Sequence, residues 1–260
     1  IETRFYKENY GKYPIPILRA MNFYEICKQK TIYIGKDELI VGERGPKPKC
    51  VPTFPELTCH SVEDLHVLNT RELQRYTISQ EDIDTYEREV IPYWKGRTQR
   101  ERIFSHVPQE WKEAYEVGMF TEFMEQRAPG HTALDGKVYK YGLLDLKERI
   151  RKELDGLDFM NDPEATDKQE ELTAMSISCD AAILFAERHA DLADEMSLTE
   201  KDPKRATELR RIAEVCRQVP AHAPRDYWEA IQMYWFVHLG TITEPVSYTH
   251  LRAHETAANL

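Results

Sequence analysis

The sequence predicts a mostly α-helical fold with one small β-hairpin. Two observations carry the helical part. Apolar residues recur at three- and four-residue spacing along much of the chain. Helix-starting residues, either proline or a Ser/Thr/Asp with an acid three places on, precede several of these runs. The hairpin rests on a single stretch, 31–42, where β-branched residues flank a Gly/Asp turn.

Residues 1–30 read as helical, with Pro14 and Pro16 where a helix can begin and Ile17, Leu18, Met21, Tyr24 and Cys27 at helical spacing. Thr31 to Ile34 and Glu38 to Gly42 are the expected strands, joined at Gly35-Lys36-Asp37. Pro46 and Pro48 make the next segment a loop. Residues 51–77 are read as irregular with short helices.

Ser79 with Asp82 marks a helix start, Ile83, Tyr86 and Val90 its buried stripe, and Pro92 its expected stop. Thr98 and Glu101 form a capping-box pattern. Pro108 opens a helix with Trp111, Tyr115 and Met119 on one face, and Pro129-Gly130 breaks the chain again before His131. Leu146, Ile150 and Leu154 stripe the helix that follows. Asp162-Pro163 caps a long one running to about Ala193, whose Ala174, Ser178, Ala181, Ala182 and Ala186 predict close helix packing. Lys204 to Gln218 is amphipathic, and Asp226 and Glu229 cap the last helix. With no repeat and no Gly/Ser-rich linker, one domain or part of a larger one is the simpler organisation.

The 260 residues carry 45 acids against 35 bases, a formal charge of −10. No basic face supports nucleic-acid binding, and no apolar run is long enough to span a bilayer. The chain begins at Ile1, within a charged helix-like segment, so the natural start is expected to lie upstream. Five cysteines at irregular spacings predict reduced thiols in a cytoplasmic protein rather than a disulfide framework. Cys50, Cys59 and His60 lie close in sequence but lack a Cys-x-x-Cys pair, so no metal site is expected.

Residues 245–260 stand apart. His250 and His254 are four apart, as a helical zinc pair requires, yet the glutamate of the zinc-protease pattern is absent. Pro245 to Thr256 reads as an in-frame translation of a transposase-type sequencing adapter, and the composition shifts after Glu244. The native part is therefore taken as 1–244, and the tail is set aside.

Two stretches carry more than composition. In Phe123-Met-Glu-Gln-Arg-Ala-Pro-Gly-His131-Thr, a charged helical segment ends in a Pro-Gly turn that presents a histidine. Loop histidines placed by rigid elements serve catalysis or binding. On these residues alone, a histidine that satisfies local backbone and a core phenylalanine are the simpler readings. In the second stretch, Trp228, Ile231, Trp235 and Leu239 stripe a core helix, with His238 beside them.

Together, Arg-Ala-Pro-Gly-His-Thr and the later Trp-Glu-Ala-Ile-Gln with Tyr-Trp-Phe-Val-His-Leu resemble the pyruvate formate-lyase-like branch of the glycyl radical enzymes, from about residue 5 to Glu244. Within that family the Phe123 to His131 segment is most similar to members that dehydrate trans-4-hydroxy-L-proline.

The resemblance implies the N-terminal part of the family's α/β barrel and a carbon–oxygen lyase activity. Phe123 would line the substrate ring, and His131 would contact the leaving hydroxyl and act as the catalytic group. It further implies a small-molecule substrate and, in the full-length enzyme, a glycyl radical installed with S-adenosylmethionine by a radical activating enzyme, with no cofactor held by this chain. A homodimer is implied as well.

None of the five cysteines lies in the family's Cys-x-Glu pattern, and its glycyl loop has no counterpart here. The chain alone is therefore expected to be inactive. A glycerol or 1,2-diol dehydratase, another lyase of the same family, and a non-enzymatic helical interaction protein are the rival readings.

Overall fold

The computed structural model describes residues 1–48, 50, 52–73, 75–119 and 134–243. Phe123, His131 and the tail 245–260 lie outside the described residues. In chain order the helices are α1 (Glu2–Asn9), α2 (Ile15–Gln29), α3 (Val62–Thr70), α4 (Gln80–Thr85), α5 (Ile91–Trp94), α6 (Gln99–His106), α7 (Gln109–Glu116), α8 (Leu143–Asp155), α9 (Ala165–Thr199), α10 (Pro203–Gln218) and α11 (Tyr227–Thr243). A π-turn, Tyr86–Val90, joins α4 to α5, and a 3-10 turn, Asp135–Tyr139, precedes α8.

The chain divides into two compact units, one of residues 1–52 and 129–260, the other of 53–128. The larger unit is organised on α9, against which α2, α10 and α8 pack. Its small residues do what their spacing predicts. Ala181, Ala186, Ala190 and Ala193 are at most 1% exposed and let neighbouring helices approach closely. They share a core with Phe185, Leu209, Ile212, Phe236 and Leu239. The helix continues past Ala193 to Thr199, because no breaker intervenes before Pro203. At its other end the N-cap is Glu164, with no side-chain cap; Asp162, expected in that place, lies two residues ahead and accepts from Glu164 N at 3.0 Å.

The hairpin expected at 31–42 does not form, and no strand occurs among the described residues. The turn is there: Glu38 N donates to Gly35 O, and Gly35 N to Glu38 Oε2. The flanking segments, however, do not pair with each other. Helix side chains take their backbone groups instead. Arg205 donates to Gly35 O and Glu38 O, each at 2.9 Å, while Arg188 ties down the end of α2 just before the segment, donating to Cys27 O and Lys30 O. Trp228 and Trp235 donate their indole N–H to Leu39 O and Gly42 O, at 2.9 and 2.8 Å. Gln232 takes both groups of Val41, at 2.8 Å each. Buried backbone groups must be paired, and side chains meet that need as well as a ladder does. Residues 30–43 thus form an extended strap. The barrel strands implied by the resemblance are likewise not among the described residues.

In the smaller unit, Ser61, Ser79 and Thr98 each form reciprocal capping boxes, with Asp64, Asp82 and Glu101. Pro92 does not stop its helix. Proline lacks the N–H that would bond one turn back, and the π-turn ahead of it, closed by Ile91 N to Tyr86 O, absorbs the mismatch. Phe104, Trp111 and Tyr115 form an aromatic cluster roofed by the Arg100 guanidinium. Met119 lies beyond α7 and is 77% exposed, so it does not extend that face.

Candidate functional site

Phe123 and His131, the two residues expected to face substrate, lie outside the described residues. Three residues after His131, the chain re-enters the described part at Leu134. Leu134 and Asp135 both have left-handed backbones, φ 64° and 50°. Leu134 O receives Lys137 N at 3.0 Å, opening the 3-10 turn. Its side chain packs on a second core of Val138, Val215, Val219 and Met233, beside Trp228 and Val237.

That second core and the strap engage different faces of α11. From Ala230 to Thr243 the helix has no Asp, Glu, Lys or Arg. Met233 and Val237 meet Leu134's cluster. Trp228, Gln232 and Trp235, one turn apart in succession, hold the strap, with Phe236 and Leu239 in the main core. Ile231, expected on this stripe, belongs to neither cluster. Gly42 has φ 111°, and a Cβ there would stand 2.8 Å from Leu239 Cδ1, so glycine permits this approach.

The N-terminus of α11 is fixed by charge. Asp226 Oδ1 accepts from Glu229 N at 2.9 Å. The Glu229 side chain is fully buried and accepts from Arg225 Nη2 at 2.6 Å and Arg225 N at 2.7 Å, with Arg211 Nη2 at 3.4 Å. Burial alone would raise the Glu229 pKa, but the Arg225 hydrogen bonds outweigh it, and the group lies below the ordinary carboxylate value. His238 stacks on Tyr234 with ring centres 5.7 Å apart, a structural placement.

Burial pushes the thiols of Cys27 and Cys216 up to about 12 and those of Cys59 and Cys179 up to about 11. These four are neutral packing groups at physiological pH, not activated nucleophiles. No group of three His, Cys, Asp or Glu suited to a metal occurs among the described residues.

Sequence reasoning gave no such role to Gln232 and Arg205, which with Trp228 and Trp235 take the place of a hairpin partner. A signal existed for Gln232: an amide fully buried in a run of apolar residues must have dedicated partners. Arg205 carried none, because an arginine on an amphipathic helix ordinarily points to solvent.

Among curated proteins, the chain is 47% identical over 242 residues to trans-4-hydroxy-L-proline dehydratase of Clostridioides difficile, covering 93% of this chain and 31% of that protein. It is 32% identical to isethionate sulfite-lyase of Desulfovibrio desulfuricans, covering 91% of this chain and 30% of that protein. The chain thus spans about a third of the length of these relatives. Among solved structures, the Clostridioides difficile hydroxyproline dehydratase with trans-4-hydroxy-L-proline bound superposes with a TM-score of 0.89 at 46% identity, over 94% of this chain and 31% of that one. The glycerol-bound B12-independent glycerol dehydratase of Clostridium butyricum superposes with a TM-score of 0.85 at 30% identity, over the same shares. A glycyl radical enzyme of Archaeoglobus fulgidus also matches, with a TM-score of 0.77 at 27% identity. The model of the pyruvate formate lyase-like family matches residues 1–251, and the chain belongs to that family.

Proposed function

We propose that the protein containing this chain is a glycyl radical dehydratase that eliminates water from trans-4-hydroxy-L-proline. The observation that carries this reading is the 47% identity to the hydroxyproline enzyme against 32% to the isethionate lyase. The radical, held elsewhere in the full-length protein and installed by a radical S-adenosylmethionine enzyme, supplies the hydrogen abstraction. What this chain contributes is polar and steric. Hydroxide leaves poorly unless a donor shares a proton with it as the carbon–oxygen bond breaks. An imidazole, whose pKa lies near neutrality, suits that task, and we assign it to His131. Phe123 is assigned as an apolar wall that keeps water from the reacting centre. A homodimer in an anaerobic cytoplasm is part of the same proposal.

The test is to express the full-length gene with its activating enzyme, anaerobically, and to offer 4-hydroxyproline, 1,2-propanediol, glycerol and isethionate. Consumption of hydroxyproline is expected. Turnover of a diol instead would transfer the assignment to the diol dehydratases, and turnover of isethionate to the sulfite-lyases. His131→Ala is expected to lower the dehydration rate about a hundredfold, the usual size of a general-acid contribution. A near-normal rate removes His131 from the mechanism.

A further inference from the structure

Lys30 caps the end of α2 and begins the strap. Its Nζ donates to Glu43 O at 2.7 Å, closing the two ends of the strap on each other, and lies 4.7 Å from the centre of the Phe185 ring. The same side chain lines a partly enclosed cavity of about 10 Å³, with Cys27 and the apolar Phe23, Phe185, Phe236 and Leu239. A space of that size suits a guest of very few atoms. Two guanidiniums act on the amine as like charges, those of Arg44, just past the strap, and of Arg188 on α9. Arg188 is fixed there by its bonds to Cys27 O and Lys30 O. Burial first, then Arg44 and Arg188, hold the Lys30 pKa down from 10.5 to about 8, against the pull of Cys27 and Glu43. The ratio of neutral to charged amine is thereby roughly three-hundredfold above that of an ordinary lysine. The bond to Glu43 O is all that a latch for the strap requires. The cavity and the two guanidiniums make a place that gains from an anion on this nitrogen.

We propose that Lys30 is a carbon dioxide-binding residue, whose amine adds CO2 to form a carbamate held in this cavity and paired with Arg44 and Arg188. The nitrogen lone pair forms the N–C bond, one C–O π pair moves onto oxygen, and the nitrogen releases a proton to solvent. Amine and CO2 thus become carbamate and one proton, with nothing oxidised or reduced. The step needs a neutral amine, which buried lysines supply. It also needs a small reactant, which the cavity admits, whereas acyl donors and larger aldehydes are too bulky for it. The carbamate keeps one N–H to donate to Glu43 O. It replaces a positive charge by a negative one, so the repulsion from both guanidiniums becomes attraction, and charge-assisted hydrogen bonds are the strong kind.

The test uses the full-length protein, equilibrated with isotopically labelled bicarbonate near the Lys30 pKa of about 8. A trialkyloxonium salt then converts any carbamate to a stable ester, and peptide mass spectrometry locates it. The expected result is labelled ester on Lys30 at an occupancy at least about tenfold above that on Lys147, a lysine kept charged by Asp180. Lys30→Arg keeps the cation and the donor to Glu43 O but removes the nucleophile, so the labelled carbamate resonance should vanish from its NMR spectrum. A Lys30 peptide recovered without the ester, or label spread evenly over the lysines, overturns the proposal. A Lys30→Arg protein that retains the same resonance overturns it as well. Should that variant fail to fold, the comparison between Lys30 and Lys147 in the unaltered protein decides alone.

Discussion

Replacing Gln232 by leucine asks whether one amide holds the strap. Its carboxamide does for Val41 what a neighbouring strand would do, accepting from Val41 N and donating to Val41 O at 2.8 Å each. Both Val41 and Gln232 are 0% exposed, so water cannot substitute for the lost partner. Each buried backbone group left unpaired costs about 1–3 kcal/mol, and leucine's apolar transfer recovers part of that, so the net loss is about 3 kcal/mol. For a folded unit of this size, roughly 2–4 °C per kcal/mol, the melting temperature should fall by about 6–12 °C. Tryptophan fluorescence is the natural probe, because Trp228 and Trp235 donate to strap carbonyls on either side of Val41.

Gln232→Glu sharpens the test. At neutral pH its carboxylate keeps the acceptor for Val41 N but sets a charge against Val41 O. Burial and that carbonyl raise the folded-state pKa above the unfolded value of about 4.3. The protonated acid, which can donate to Val41 O, is thus favoured by folding. This contribution is fully present below the unfolded pKa and is lost as pH rises through the folded one. The glutamate variant should therefore approach the wild type on acidification, and the leucine variant should not. A leucine variant that melts within about 1 °C of the wild type, far inside the shift expected for about 3 kcal/mol, would refute the account of the strap.

How much of this was legible beforehand differs by element. The capping boxes at Ser79 and Thr98 and the alanine-lined spine of α9 were readable because their causes are local: a side chain three residues from its backbone partner, or small residues on one helical face. The hairpin was misread because its local pattern is genuine. The turn at Gly35–Glu38 forms, but the partner that decides strand or strap lies some 190 residues away in sequence, on α11. Periodicity in a twelve-residue window cannot distinguish a strand from an extended segment bonded by glutamine, tryptophan and arginine. Pro92 was misread because a π-turn is a geometric accommodation with no residue signature. For Phe123 and His131, spacing established only a turn, and their assignment came from the family resemblance.

Other consequences are checked more simply. His189 is fully buried, with Nδ1 donating to Phe185 O at 2.7 Å and Nε2 unpartnered. Burial first, then Lys30 and Arg188, hold its pKa down at about 4. The unfolded chain binds the proton near pH 6.5 and the folded one does not, so stability is intact above that value and falls as pH drops towards 4. Urea titrations should show about 2 kcal/mol less stability at pH 5 than at pH 7 from this residue, and His189→Gln should abolish that share. Arg205→Lys cannot span both Gly35 O and Glu38 O. It should cost about 1–2 kcal/mol and quicken amide exchange across 35–42, and unchanged exchange would contradict its role. Gly142→Ala drives a Cβ into Ala221 O and the His222 backbone, beside the bonds of Leu143 N to Pro220 O and Leu144 N to Ala221 O. A loss of about 1–3 kcal/mol in chemical denaturation is expected.

The same geometry explains why the helix motif names the family while leaving the substrate open. Trp228, Gln232 and Trp235 spend their polar atoms on the strap backbone, and Glu229 spends its carboxylate on Arg225. None of these groups remains to read a ligand. Their spacing is demanded by strap geometry, which any substrate leaves unchanged. The superpositions agree: from the hydroxyproline to the glycerol enzyme, identity falls from 46% to 30%, yet the TM-score falls only from 0.89 to 0.85. Backbone shape in this part is therefore nearly indifferent to which compound the relative binds. Discrimination between compounds must then come from side chains, on this part or on the two thirds of the relatives' length that the chain does not cover.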